Sequence, residues 1–185
     1  IEATKKRAGE ERRRKEAEAK KQQPSGKEVS KPVTKQMDAY RVDDSDRKLS
    51  GTFERNKGRL PIPVTGPYVI VGHYGQYQVE GLRNVRLDNK GIDIKAKQGA
   101  MARTIFDGEV TAVFQYNGLA NVLVRHGSYI SVYCNLESVI VKQGSQLKTR
   151  DVIGQISTDS DGNTVLHFQL RKEKDKLNPE LWIAK

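Results

Sequence analysis

The strongest constraint on this chain is a change of texture at Leu60. Beyond it, short β-branched and aromatic runs follow one another closely: Tyr68–Gly72, Gly91–Ala96, Met101–Phe106, Glu109–Tyr116, Leu119–Arg125, Tyr129–Leu136, Val152–Ser157 and Val165–Arg171. Asn117-Gly118 and His126-Gly127-Ser128 stand between paired runs, as hairpin turns do. No helical pattern of ten or more residues interrupts the series. Leu60-Pro61-Ile62-Pro63-Val64 is an extended lead-in, because each proline drives the residue before it out of the helical region. These features predict a mainly β fold over residues 59–185, a β-sandwich or partly closed barrel.

Ahead of Leu60 the chain is almost wholly charged and polar. Residues 1–23 carry nine basic and five acidic residues among alanines, with Glu11 and Glu16 each four positions before a lysine, the orientation that supports a helix. No apolar seam accompanies them, so residues 1–33 are expected to be a charged helix or coiled-coil remnant followed by a linker. In residues 34–58, Met37 with Tyr40 and Leu49 with Phe53 fall at helical spacing. Asp43-Asp44-Ser45-Asp46 reads as an interruption between them. That segment either pads the following domain or covers a groove on it in a regulated way.

The net charge is +10, but the mixed signs and the lack of interleaved aromatics in the basic stretch argue against a nucleic-acid partner. An acidic protein or an anionic polymer suits the charge equally well. No apolar run approaches the ~18 residues needed to cross a bilayer. One cysteine excludes an internal disulfide framework and a multi-cysteine zinc knuckle. The chain starts without methionine or a signal peptide and reads as an internal or processed piece.

Strand alternation places a polar face. Ile92 and Ile94 share one side and Asp93 takes the other; Leu166, Phe168 and Leu170 oppose Val165, His167 and Gln169. In the run 131–135, Val132 and Cys134 are expected on the core side, with Tyr133 and Asn135 facing outward. Asp93, Asn135 and His167 are therefore expected on one open face. His73 and His126 lie at turns without the spacing of a ligand pair, which favours structural roles, and Cys134 is expected to be a buried, inert thiol.

Several segments then fall in a telling order: Asn89-Lys90-Gly91-Ile92-Asp93-Ile94, Phe106-Asp107-Gly108-Glu109-Val110, Tyr133-Cys134-Asn135-Leu136, Val141-Lys142-Gln143-Gly144 and Val165-Leu166-His167-Phe168, closed by Asn178-Pro179 and Trp182. With the lead-in at Leu60, residues 57–185 resemble the LytM/lysostaphin-type zinc endopeptidases, which cut cell-wall peptide crosslinks. In that family a His-x-Gly-x-Asp motif and the last His of His-x-His hold zinc. The His of Tyr-x-His-Leu and the first His of His-x-His act on the attacking water and the transition state. Carried over, the resemblance puts Asn89, Asp93 and His167 at the ligand positions and Asn135 and Val165 at the catalytic ones.

Those replacements remove the chemistry. A catalytic zinc needs three good ligands and one position left for water, and a neutral amide oxygen suits zinc poorly. Asparagine does not shuttle protons near neutral pH, and valine makes no side-chain hydrogen bond; loss of one such group typically costs about 10²–10⁴ in rate. No metal, cofactor or catalytic residue is therefore expected. Degenerate domains of this kind, preceded by a charged helical region, resemble EnvC-type murein hydrolase activators. The resemblance implies a non-catalytic activator that binds a peptidoglycan (N-acetylmuramoyl-L-alanine) amidase through Asn89, Asp93, Tyr133, Asn135, Val165 and His167. It also implies a periplasmic place and a link, through a coiled coil, to an inner-membrane division complex. The alternatives are an active zinc endopeptidase and a peptidoglycan-binding structural module.

Overall fold

The computed structural model describes residues 44–78 and 86–185; the charged stretch over 1–33, Met37 and Tyr40 lie outside the described residues. Within them the first element is helix α1, Asp44–Arg55. It begins within the acidic run, so Leu49 and Phe53 share one helix that opens at Asp44. Asp44 and Asp46 sit in the first turn and Arg55 in the last, each charge matched to the helix dipole. Asp46, Leu49, Ser50 and Phe53 form the inward stripe at helical spacing, and Phe53 at its end is fully buried.

The β elements follow in the order β1 (Tyr68–Gly72), β2 (Gly75–Gln78), β3 (Arg86–Asn89), β4 (Ile92–Ala96), β5 (Met101–Arg103), β6 (Gly108–Tyr116) and β7 (Leu119–His126). After them come β8 (Tyr129–Val139), β9 (Gln146–Leu147), β10 (Val152–Ile156), β11 (Thr164–Lys172) and β12 (Asp175–Leu177), then a 3₁₀ turn at Pro179–Leu181. The fold is mainly β, as the pattern predicts. Ten strands form one antiparallel sheet whose main path runs β1-β4-β11-β8-β7-β6-β9, with β10 joining β8 to β5 and β12 pairing with β11. The sheet is not a closed barrel, and β2 and β3 form a separate hairpin.

Turn chemistry explains the order. Asn117 and Gly118 both adopt positive φ (50° and 78°) between β6 and β7, as a two-residue turn matching strand twist requires. At the β7–β8 turn, a Cβ on Gly127 would collide with Ser50 and the Asp46 carbonyl, so glycine there lets α1 lie directly on the turn. The Ser128 amide donates to Ser50 Oγ at 2.8 Å, and Ser50 Oγ donates to the Asp46 carbonyl at 2.6 Å.

The core faces inward from the sheet and includes Ile92, Ile94, Tyr133, Leu136, Leu166, Phe168 and Leu170. The lead-in is tied to the chain end: Gly58 and Leu60 amides donate to the Trp182 carbonyl, and the Ala184 amide donates to that of Leu60. None of the described helices is long and apolar enough to cross a membrane.

Candidate functional site

The alternation expected in β4 and β11 holds. Ile92, Ile94, Leu166, Phe168 and Leu170 are buried, while Asp93, Val165, His167 and Gln169 lie half-buried on the opposite face. In register, His167 stands directly across from Asp93, and Val165 across from Lys95. Asn89 ends β3, and the tight turn through Gly91 brings it back beside Asp93. A Cβ on Gly91 would strike the Phe168 carbonyl, and one on Gly72 would strike the Asp93 carboxylate, so two glycines make room for this corner.

The polar side chains here bond to one another. The Gly91 amide donates to Asn89 Oδ1 at 3.0 Å, which turns the Asn89 NH₂ toward Asp93 Oδ2 at 2.8 Å. His167 Nδ1 donates to Asp93 Oδ1 at 2.7 Å. Gln169 Nε2 donates to His167 Nε2 at 3.0 Å, and Arg171 Nη2 donates to Gln169 Oε1 at 2.8 Å. Each Asp93 oxygen thus receives one N–H, and these contacts hold the His167 ring in a single tautomer. Arg171 Nε is buried without a hydrogen-bond partner among the described residues.

Of the six residues expected to line the groove, the structure brings Asn89, Asp93, Asn135, Val165 and His167 together. Tyr133 is corrected: it is fully buried, its hydroxyl accepts the Ile105 amide at 3.1 Å, and its ring packs 5.3 Å from that of Phe168. Cys134 therefore takes the outer face, across from His167 in register, and not the core face. Burial pushes its thiol up to about 11, so it is unreactive at neutral pH.

The phase error has a local cause at Asn135, whose φ is +67°. There β8 leaves β11 and pairs with β10 instead, so the alternation that runs from Tyr129 through Cys134 is reset. Asn135 Nδ2 donates to the Val165 carbonyl at 3.4 Å. A β-branched residue is poorly suited to this left-handed position. Asn135→Val is expected to cost about 1–3 kcal/mol in urea unfolding, while Asn135→Gly stays within about 1 kcal/mol of the parent. Equal losses for both would refute the backbone account.

Sequence reasoning missed the rest of the face. Arg171 continues the period-two row of Val165, His167 and Gln169, so alternation carried two residues further finds it. Val69 is 64% exposed and pairs with Lys95, which places it on the same face. Leu123 pairs with Val132, which pairs with Gln169, and one strand further Phe114, 48% exposed, pairs with Asn121. No local signal marks Val69 or Phe114, because membership depends on the register between strands distant in sequence. The two other histidines lie elsewhere: His73 Nδ1 is 3.1 Å from Glu180 Oε1, and His126 is buried against the Asp107 carbonyl and Ser131.

With this geometry in hand, residues 88–179 match the family described as Peptidase family M23. The chain carries an M23 domain. It is 30% identical to the murein hydrolase activator EnvC of Escherichia coli K12 over 84% of its own length, and spans 37% of that protein. It is 28% identical to the murein hydrolase activator NlpD of the same organism over 49% of its length, and spans 25% of that protein. Among solved structures, a chain of the SpoIIQ–SpoIIIAH pore-forming complex superposes with a TM-score of 0.59 at 23% identity, covering 70% of this chain and 93% of that one.

The zinc of M23 peptidases does not fit the residues present in this M23 domain. Beside Asp93 and His167 the third ligand position holds the neutral amide of Asn89, a poor partner for zinc. The Asn89 oxygen is spent on Gly91, leaving a hydrogen-bond donor where a ligand is needed. Among the described residues no group of three or more His, Cys, Asp or Glu could hold a metal ion.

Proposed function

We propose that this M23 domain is a non-catalytic activator of a peptidoglycan hydrolase, specifically an N-acetylmuramoyl-L-alanine amidase, which it binds through the former peptidase groove. The observation that carries the reading is the hydrogen-bonded set at the ligand positions, where Asn89 points an N–H₂ at Asp93. With Asn135 and Val165 at the other two motif positions, neither of the positions that handles protons in the family holds a general acid or base. The names of its relatives, the murein hydrolase activators EnvC and NlpD, support the same assignment.

Binding energy at such a face comes from a few anchors. Val165, in the centre, takes that role together with the exposed Val69 and Phe114 on its flanks; the buried Tyr133 cannot. Activation follows if the amidase's blocking element binds better in its displaced state, a population shift set by that difference. A hydrolase partner of this kind works in the cell envelope, so the chain would act there after export, with its charged upstream stretch leading toward a membrane-bound division complex.

The test is dye release from labelled peptidoglycan by an amidase of the source organism, with and without the purified chain. Stimulation is expected, and Val165→Asp should weaken it about 30-fold or more, the effect of losing a central anchor worth roughly 2 kcal/mol. Undiminished stimulation by Val165→Asp, or zinc-dependent cleavage of crosslinked peptide by the chain alone, would overturn the proposal.

A further inference from the structure

We propose that Arg103 and Arg150 form a clamp for a phosphate group at the β5–β10 corner of the sheet. Arg103 ends β5, and Arg150 stands in the turn just before β10. Backbone hydrogen bonds join these distant pieces of chain: the Arg150 amide donates to the Thr104 carbonyl, and the Thr104 amide to the Asp151 carbonyl, each at 2.9 Å. In register, Arg103 stands across from Val152. None of the motif positions takes part.

Each arginine is held in a way that leaves its cation available. The Arg103 amide donates to the Pro63 carbonyl at 2.9 Å, and its Nε donates to the Ile62 carbonyl at 3.0 Å. The extended lead-in thus fixes the half-buried stem and leaves the two Nη groups over. Arg150 is exposed and is placed by its backbone. Lys148-Thr149-Arg150-Asp151 closes as a turn, with the Asp151 amide donating to the Lys148 carbonyl at 2.9 Å, and Arg150, its third residue, has a φ of +73°. That position normally falls to glycine or asparagine, and a long side chain there carries backbone strain of the kind found at ligand clamps.

The charges point the same way. Among the described residues neither guanidinium forms an ion pair. The nearby carboxylates are committed elsewhere. Asp151 Oδ2 accepts the Lys148 amide at 2.7 Å; Asp107 Oδ1 accepts the amide and the hydroxyl of Thr149, each at 2.7 Å, and Lys148 Nζ lies 3.6 Å from its other oxygen. Burial, and after it the Arg150 charge, hold the Arg103 guanidinium below its ordinary pKa, so the two cations are close enough to repel. An anion between them turns that repulsion into attraction. The amides of residues 148–151 are already spent, so side chains must hold the ligand. A phosphate directs oxygens toward two planar forks at once, whereas the paired oxygens of a carboxylate suit a single fork. Free phosphate and a lipid headgroup share this chemistry, and the experiment separates them.

The full chain is titrated with inorganic phosphate while the arginine Nε–H signals are followed by nuclear magnetic resonance. Saturable shifts of the Arg103 and Arg150 signals are expected, with binding about 10-fold or more weaker in Arg103→Gln and in Arg150→Gly. Glycine suits the left-handed position, so Arg150→Gly should melt no lower than wild type while binding phosphate worse, which guards against loss through misfolding. The double variant Lys174→Gln/Lys176→Gln removes two exposed positive charges elsewhere and should bind as wild type does.

In a second arm the chain is sedimented with phosphatidylcholine vesicles, with and without phosphatidylglycerol. Phosphatidylglycerol-dependent sedimentation that falls in Arg103→Gln/Arg150→Gly but not in the lysine variant assigns the clamp to a lipid headgroup. Saturable phosphate binding without that fall assigns it to free phosphate. No saturable shift in the wild type, undiminished phosphate binding by both arginine variants, or an equal loss in the lysine variant would overturn the clamp.

Discussion

Phe53→Ala is expected to lower the unfolding free energy by about 3–5 kcal/mol, the usual cost of emptying a buried phenylalanine site. The Phe53 ring is fully buried and lies 4.6 Å from the ring centre of Tyr129, 5.2 Å from His126, 5.3 Å from Phe106 and 5.5 Å from Trp182. Those partners come from β7, β8, the turn before β6 and the end of the chain, so no single neighbour can collapse into the space. With total stabilities of about 5–15 kcal/mol, such a loss is a large part of the whole. Urea denaturation followed by circular dichroism measures it. A loss below about 1 kcal/mol would show that α1 is a detachable appendage.

That expectation bears on regulation. The Tyr129–Lys172 pair beneath the end of α1 lies five positions along the ladder from the Cys134–His167 pair at the groove, about 17 Å at the rise of an antiparallel strand. Glu54 reaches Lys172 at 3.7 Å at the same end. Helix α1 therefore belongs to the folded domain and lies away from Asp93 and His167. Removing residues 1–43 spares it; removing residues 1–58 takes Phe53 away. Only the first truncation separates an upstream regulatory effect from simple unfolding.

Stability should also fall in mild acid because of His126. Burial pushes its pKa down from 6.5 to about 4, although the Asp107 carbonyl and charge oppose the shift. The neutral ring fits its surroundings: Nδ1–H donates to the Asp107 carbonyl at 2.7 Å, Nε2 accepts from Ser131 Oγ at 2.8 Å, and Phe53 stacks on the face. Between those two pKa values the unfolded chain binds a proton that the folded chain refuses. Stability therefore rises with pH across that window and is lost as pH falls from 6.5 toward 4.

The full loss is about 3 kcal/mol from this one residue, at 1.36 kcal/mol per unit. About two-thirds of it should be visible at pH 5. His126→Gln, which keeps an amide donor and acceptor without a proton to gain, should unfold more easily at neutral pH yet lose this part of the pH slope. Parallel urea titrations at about pH 7 and pH 5 provide the comparison; the same slope in both proteins would rule out His126 as the cause.

Much of the site was legible in the chain. Period-two alternation put Asp93, Val165, His167 and Gln169 on one face, and the strands confirm it, because each of those runs is a regular strand paired on both sides. Tyr133 and Cys134 were misplaced by one position, since the left-handed Asn135 resets the phase at a point where β8 changes partners. Asn is tolerated at positive φ, yet nothing nearby in sequence says that this one adopts it. Asp44 and Asp46 stand in the first turn of α1, where carboxylates suit the helix dipole, so the acidic run opens the helix that carries Leu49 and Phe53.

What the amino-acid order determined by itself was everything local: the β class, the turns at Asn117-Gly118 and Gly127-Ser128, and the inward and outward rows of β4 and β11. The tertiary structure alone decided which rows meet. Val69 and Phe114 share the face of Asp93 and His167 through pairings between strands far apart in sequence, and Asn89 meets Asp93 because Gly72 and Gly91 leave room at that corner. Alternation is a property of each strand, but register between strands is set by the packing of the whole core.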